Sequence, residues 1–143
     1  MPIRPPEYDA IAAELKPKLE NLPPVIIAIS GSKLAGKTTL ARFLAWYFNI
    51  SLIETDFYLK PNEGFTYDTS EIARMISFRI GLPRPVVVEG FKILEILAEI
   101  NKAPDIIIHV QNKSNYGYGK VSECVSAISG FSDASCYKVE VSH

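Results

Sequence analysis

The residues whose types and spacing most clearly indicate a chemical function begin at Gly31. They read Gly31-Ser32-Lys33-Leu34-Ala35-Gly36-Lys37-Thr38, a complete G-x-x-x-x-G-K-T, with Thr39 directly behind it. An apolar, β-branched run precedes the pattern and an amphipathic pattern follows it. That strand–loop–helix context is the one a phosphate-binding loop requires. We therefore predict that this segment binds the phosphate groups of a nucleotide.

Each part of the loop has a physical role in holding an anion. The glycines let the backbone approach the anion closely, and the loop N–H groups form a concave nest for its oxygens. The start of the following helix adds partial positive charge. Lys37 is predicted to reach the β- and γ-phosphates, and the Thr38 hydroxyl to bind Mg²⁺. Lys33 either assists the phosphates or is a solvated loop lysine. The predicted nucleotide-binding residues are Gly31, Ser32, Lys33, Ala35, Gly36, Lys37, Thr38 and Thr39.

Acidic residues stand at the ends of two further predicted strands. Asp56 follows the run 51–54, and Glu89 ends the run 85–89. Ligands of open parallel sheets bind at the carboxyl ends of the strands, where a buried carboxylate needs a cation or a proton donor. We predict Asp56 as the general base for an acceptor hydroxyl and Glu89 as a carboxylate on the magnesium side. A turn or capping role for Asp56 and a helix-start role for Glu89 remain open.

Strand and helix patterns alternate along the chain. The apolar runs are typical of strands buried on both faces of a parallel sheet: Val25–Ile29, Ser51–Glu54, Pro85–Glu89 and Asp105–Val110, with an alternating edge strand at Tyr137–Val141. Amphipathic helices are predicted at Lys37–Phe48, Ser70–Ile80, Lys92–Ile100 and Lys120–Ser129. Asp68 is predicted to cap the second of these, with Glu71 placed as in a capping box. The order predicts an α/β fold, a parallel sheet with helices on both faces.

The composition excludes several classes of protein. The chain has 143 residues, 48% hydrophobic and 22% charged, as one globular domain would. A net charge of −1 argues against nucleic-acid binding, which is typical of clearly basic proteins. No apolar run approaches the ~18 residues of a membrane span, and two cysteines build no disulfide framework. We expect a cytoplasmic protein in which both cysteines are buried, reduced thiols. We also expect the chain to divide into an N-terminal leader and helix (residues 1–24) and a single domain (residues 25–143).

The motifs resemble those of the P-loop small-molecule kinases, and more closely the uridine kinase and nicotinamide riboside kinase group. The resemblance rests on Ile29–Ala41, which contains the phosphate-binding loop (the Walker A motif), on Thr55–Pro61 and on Val86–Phe91. It covers roughly residues 25–110. It implies a three-layer P-loop NTPase fold with strand order 2-3-1-4-5. It also implies ATP as donor, Mg²⁺ as cofactor and a small-molecule hydroxyl, nucleoside-like or sugar-like, as acceptor.

The resemblance also assigns roles to individual residues. Lys37 and Asp56 would be catalytic, and Thr38 and Glu89 would hold the metal. The residues placed near the acceptor are Tyr58, Lys60, Tyr67 and Asp68.

The chain departs from this group in the lid that follows the fourth strand. The related kinases carry arginines there, whereas residues 111–120 contain none and no arginine follows Arg84. Lid arginines neutralise charge on the transferred phosphoryl group. Lys113 and Lys120 can replace them only as point charges. The alternative hypothesis is therefore a weak or inactive nucleotide-binding module that acts as a sensor or partner subunit.

A GTPase is a minor alternative. The run Asn112-Lys113-Ser114-Asn115 follows a predicted strand and resembles the guanine-reading N-K-x-D. Its fourth residue is an amide where the N1–H and amino groups of guanine require a carboxylate. No D-x-x-G element follows the third strand either. Both absences favour ATP over GTP.

Overall fold

A computed structural model describes residues 5–31, 36–64, 66–112, 131 and 133–141. The helices in these ranges are α1 (Pro6–Leu15), α2 (Lys37–Phe48), α3 (Thr69–Gly81) and α4 (Ile93–Glu99). The strands are β1 (Ile26–Gly31), β2 (Ser51–Glu54), β3 (Val86–Glu89), β4 (Ile106–Asn112) and β5 (Ser135–Val141). Two 3₁₀ turns occur at Lys16–Leu19 and Thr55–Tyr58. The helix predicted at 120–129 lies outside the described residues.

The five strands form one sheet in the order β2-β3-β1-β4-β5, and every pairing is parallel. This confirms the predicted three-layer P-loop NTPase fold and its strand order. β5 lies at one edge, as its alternating pattern predicted. The carboxyl ends of β1, β2 and β3 lie side by side, because Ile29 is in register with Glu89 and Glu89 with Glu54. Glu89 therefore lies next to the end of β1, and Asp56 follows the neighbouring end of β2.

Helices cover both faces of the sheet. On one face, α1 and α2 pack against alternate residues of β1 and β4, with Leu15, Leu40 and Leu44 fully buried. On the other face, α3 and α4 pack against the intervening residues of β1 and against β2 and β3, with Ile72, Ile76 and Leu97 fully buried. Strands with both faces covered must be apolar throughout, which explains their continuous β-branched runs. Among the described residues, no helix is long and apolar enough to cross a bilayer.

Two local details of the helices refine the predictions. Helix α1 ends at Leu15 and continues as a 3₁₀ turn that includes Pro17, since proline removes a helical N–H donor. Asp68 caps α3 as predicted, but only half of the capping box forms, because the Glu71 carboxylate accepts hydrogen bonds from Arg74 instead.

Cys136 is exposed, so the expectation of a buried thiol is wrong for this residue. It lies on the edge strand, next to the partly buried Tyr137 that packs against the core.

Candidate active site

The ends of the phosphate loop are fixed by strand β1 and helix α2. Gly31 is the last residue of β1, and a Cβ at this position would overlap the carbonyl oxygen of Val110. Gly36 precedes α2 with φ +95°, a left-handed conformation that favours glycine. The N–H groups of the first helical turn have no intrahelical acceptors, so they can bind an anion. Ser32, Lys33 and Ala35 lie outside the described residues.

Three predicted site residues lie at the start of α2, and they differ in how far their side chains are exposed to solvent. Lys37 is buried, with 8% of its surface exposed. Thr38 is partly buried and faces the sheet, where its Oγ1 donates a hydrogen bond of 2.6 Å to Oε1 of Glu89. Thr39 faces solvent. The structure thus brings Thr38 and Glu89, predicted from separate motifs, into direct contact.

Burial works against charge on both Lys37 and Glu89. Burial lowers the pKa of the Lys37 ammonium, while the nearby carboxylates of Glu89 and Asp56 oppose that change. Burial raises the pKa of Glu89, which is 2% exposed, against the opposing effects of the Thr38 hydrogen bond and of Lys37. Each group therefore favours an added opposite charge: phosphate near Lys37 and a cation near Glu89.

Asp56 lies in the 3₁₀ turn Thr55–Tyr58, here called the Asp56 turn. Its carboxylate is exposed, yet its charge acts on both Lys37 and Glu89. An exposed carboxylate beside a buried lysine and a buried glutamate suits a group that meets a substrate arriving from solvent. Phe57 projects into solvent with 76% of its surface exposed.

The residues predicted near the acceptor lie in the segment that follows the Asp56 turn. Residues 58–60 run antiparallel to residues 66–68, with a bridge between Leu59 and Tyr67. Tyr67 is buried, and its phenol pKa is raised by burial first and then by Asp56 and Glu89. Tyr58 is partly buried and Lys60 is exposed. Asp68 accepts hydrogen bonds from Glu71 N–H and the Ser70 hydroxyl, which lower its carboxyl pKa.

Sequence reasoning assigned no role to three side chains that the structure places around this site. Arg42 lies one turn beyond Thr38 on α2 and pairs with Glu54 through Nε at 3.0 Å and Nη2 at 2.9 Å. Thr55 begins the Asp56 turn and is fully buried. The i, i+4 spacing of Thr38 and Arg42 was visible in the sequence, but the partner of Arg42 is set by the fold.

His109 lies on β4 behind the start of the phosphate loop. Its Nδ1 shares a hydrogen bond of 3.3 Å with the Ser30 hydroxyl, and its side chain is 4% exposed. The bond ties β4 to the residue before Gly31.

The chemistry of these side chains fits Mg²⁺. The contact of Thr38 with Glu89 offers a hydroxyl and a carboxylate oxygen, the hard ligands that Mg²⁺ prefers. Within the described ranges, no group of three His, Cys, Asp or Glu side chains could hold a metal by itself. Mg²⁺ in nucleotide sites takes one or two protein ligands and completes its shell with water and phosphate. Two protein ligands such as Thr38 and Glu89 would therefore be enough for one Mg²⁺ ion.

Comparison with known proteins identifies relatives among the kinases. No family model matches the chain. Three curated proteins of Lactococcus lactis match, each a pantothenate kinase and each 30% identical over 100 residues: those of subsp. lactis strain IL1403 and of subsp. cremoris strains MG1363 and SK11. The match covers 69% of this chain and 29% of each relative. The chain thus spans less than a third of the length of these relatives.

Solved structures of kinases share the fold. A possible uridine kinase from Bacillus stearothermophilus matches with a TM-score of 0.55 and 9% identity, over 92% of this chain and 97% of the other. A sugar kinase from Janibacter sp. HTCC2649 matches with a TM-score of 0.52 and 15% identity, over 82% of this chain and 86% of the other. The chain therefore has the fold of the P-loop kinases, and its sequence is similar to that of pantothenate kinases.

Proposed function

We propose that the protein is an ATP-dependent phosphotransferase that moves the γ-phosphoryl group to a hydroxyl of a small molecule. One observation carries the proposal. The Thr38 hydroxyl, at the start of the phosphate-loop helix, lies 2.6 Å from the buried Glu89 carboxylate. Buried Lys37 and exposed Asp56 stand within electrostatic reach of that carboxylate. The parts needed to bind phosphate, to bind a cation and to accept a proton therefore lie together.

The proposed reaction assigns one task to each residue. The acceptor oxygen bonds to the γ-phosphorus of ATP as the bond from that phosphorus to the β–γ bridging oxygen breaks, and ADP leaves. Asp56 takes the proton of the acceptor hydroxyl. Lys37 offsets negative charge on the β- and γ-phosphates. Thr38 and Glu89 would hold Mg²⁺, which when bound neutralises phosphate charge.

The acceptor is proposed to bind over the carboxyl ends of β2 and β3. Tyr58 ends the Asp56 turn, and Lys60, Tyr67 and Asp68 lie in the antiparallel pair of segments that follows it; together they offer hydroxyl, ammonium and carboxylate groups. The exposed ring of Phe57 offers a flat apolar surface beside them. Hydrogen-bonding groups beside an aromatic face suit a nucleoside-like or sugar-like alcohol.

A screen for ADP release tests the proposal. The purified protein is incubated with ATP, Mg²⁺ and a panel of nucleosides, sugars and small alcohols, including pantothenate and uridine. The proposal predicts acceptor-dependent ADP release that Lys37→Ala abolishes. Lys16→Ala is the matched control, because Lys16 is exposed in the 3₁₀ turn after α1. ADP release equal in the parent and in Lys37→Ala contradicts the proposal.

A nucleotide-binding module without turnover is the second candidate. It is favoured by the absence of any arginine after Arg84, since a bidentate guanidinium is the usual means of neutralising a transferring phosphoryl group. Such a module binds Mg²⁺ and ATP but releases no ADP with any acceptor. Binding without release, measured on the same protein sample, would favour the module over the kinase. Lys113 and Lys120, proposed as substitutes for the lid arginines, lie outside the described residues.

A further inference from the structure

The Asp56 turn is held by a contact that the nucleotide-binding motif does not explain. Thr55 begins the turn and is fully buried, whereas Asp56 beside it is exposed. Opposite Thr55 lies Gly90, a buried residue that follows Glu89 at the end of β3. The contact joins two neighbouring strand ends, one residue beyond the paired Glu54 and Glu89.

Gly90 leaves the space that Thr55 fills. A Cβ added to Gly90 would overlap Thr55 Oγ1 and would lie 3.1 Å from Thr55 Cβ and 3.4 Å from Cγ2. Gly90 is not among the residues with positive φ, so any residue could adopt its backbone conformation. The position therefore requires glycine for room rather than for flexibility.

We propose that Thr55 is a positioning residue whose side chain, seated against Gly90, sets the place of Asp56 relative to Glu89. The inference rests on the proposed phosphotransfer, in which Asp56 takes the acceptor proton. The contact between Thr55 and Gly90 is one of shape, and Thr55 Oγ1 has no hydrogen-bond partner among the described residues. On its other side, the end of β2 is tied to α2 by the pair of Arg42 and Glu54.

This arrangement matters for rate because proton transfer requires hydrogen-bond distance. The Asp56 turn is held between the helix that carries Lys37 and the strand that carries Glu89. A displacement of about 1 Å in a reacting group can lower a rate by about 100-fold. Thr55 sets this spacing without touching the substrate.

A pair of substitutions tests the contact from both sides. Gly90→Ala pushes Thr55 away and is expected to lower kcat by about 100-fold while the KM for ATP changes little. Adding Thr55→Ala removes Oγ1 and Cγ2, so the methyl group added at position 90 occupies the space that they leave, and part of the lost kcat should return. Gly81→Ala is the matched control, since no atom lies within 4 Å of a Cβ placed there. If Gly90→Ala behaves like Gly81→Ala, or the second substitution restores nothing, the inference is overturned.

Variants of Thr55 alone decide the question if Gly90→Ala does not fold. Thr55→Val keeps the shape of the side chain and should retain most of kcat. Thr55→Ala removes the shape and should lower kcat with little change in the KM for ATP. Equal kcat in the two variants contradicts a positioning role.

A measurement without turnover separates this inference from the proposed function. Mn²⁺ with ATP broadens NMR signals of isotope-labelled protein according to their distance from the ion. The Asp56 amide signal should be broadened differently in Gly90→Ala and should return toward the parent in the double variant. That result supports the inference even if no acceptor is phosphorylated, an outcome that would contradict only the proposed function. Identical broadening in all three proteins overturns the inference.

Discussion

Replacing Thr55 by valine should make the protein more stable. The Thr55 hydroxyl is fully buried and has no hydrogen-bond partner among the described residues. A buried hydroxyl left unsatisfied costs about 1–3 kcal/mol, and a methyl group in its place removes that cost. The close approach of Gly90 leaves little room for the slightly larger methyl, so part of the gain is lost to crowding. We therefore expect a net stabilisation of about 1–2 kcal/mol.

Urea denaturation measures this change directly. The midpoint should rise while the slope of the transition stays constant, because the surface exposed on unfolding is nearly the same. In a thermal scan, about 1–2 kcal/mol corresponds to a rise in Tm of about 3–6 °C for a chain of this size. Thr55→Ser is the control: it keeps the hydroxyl, loses a methyl group and should be less stable than the parent. A destabilised Thr55→Val would refute the reasoning, because it would show either that the hydroxyl has a partner or that crowding against Gly90 outweighs the gain.

Two further changes test the phosphate loop and the cap of α3. Mg²⁺ with ATP at 100 times its Kd should stabilise the parent by about 2.7 kcal/mol, seen as a rise in Tm in a thermal scan. GTP should raise the Tm by no more than ATP does. Lys37→Ala should lose most of the rise that ATP causes. A larger shift with GTP would instead favour the GTPase. Hydrogen bonds lower the pKa of the Asp68 carboxyl in the folded protein. They therefore add stability at pH values above the usual carboxyl pKa of about 3.9, and this stability is lost as the pH falls through the lower pKa of the folded protein. Parent and Asp68→Asn should therefore differ most near neutral pH and converge in acid; a constant difference in urea titrations would contradict the assignment.

Local patterns predicted most of the elements. Helix α2 begins and ends at the predicted residues, Lys37 and Phe48, because an apolar face and a glycine boundary both mark it. The observed strands begin and end within two residues of the predicted ones. Continuous β-branched runs predict strands well because they are typical of strands buried on both faces of a sheet. The strand order came from the family resemblance, because hydrophobic patterns alone do not specify which strands are neighbours.

The site was predictable where chemistry lies within one motif and not where it depends on contacts between motifs. The spacing of the Walker A loop placed Lys37 and Thr38, and the end of an apolar strand marked Glu89. The role of Thr55 depends on Gly90, and the two come together only because β2 and β3 pair in one register. The pairing of Arg42 with Glu54 likewise depends on how α2 crosses the sheet. Such contacts leave no periodic signal in a sequence.

The central claim is that Asp56 takes a proton during phosphotransfer, and Asp56→Asn tests it most directly. Asparagine keeps the shape of the side chain but cannot accept the proton. With any acceptor found in the screen, the variant should bind Mg²⁺ and ATP as the parent does and transfer phosphate about 10²- to 10⁴-fold more slowly in a single turnover. A single-turnover rate equal to that of the parent would contradict the account.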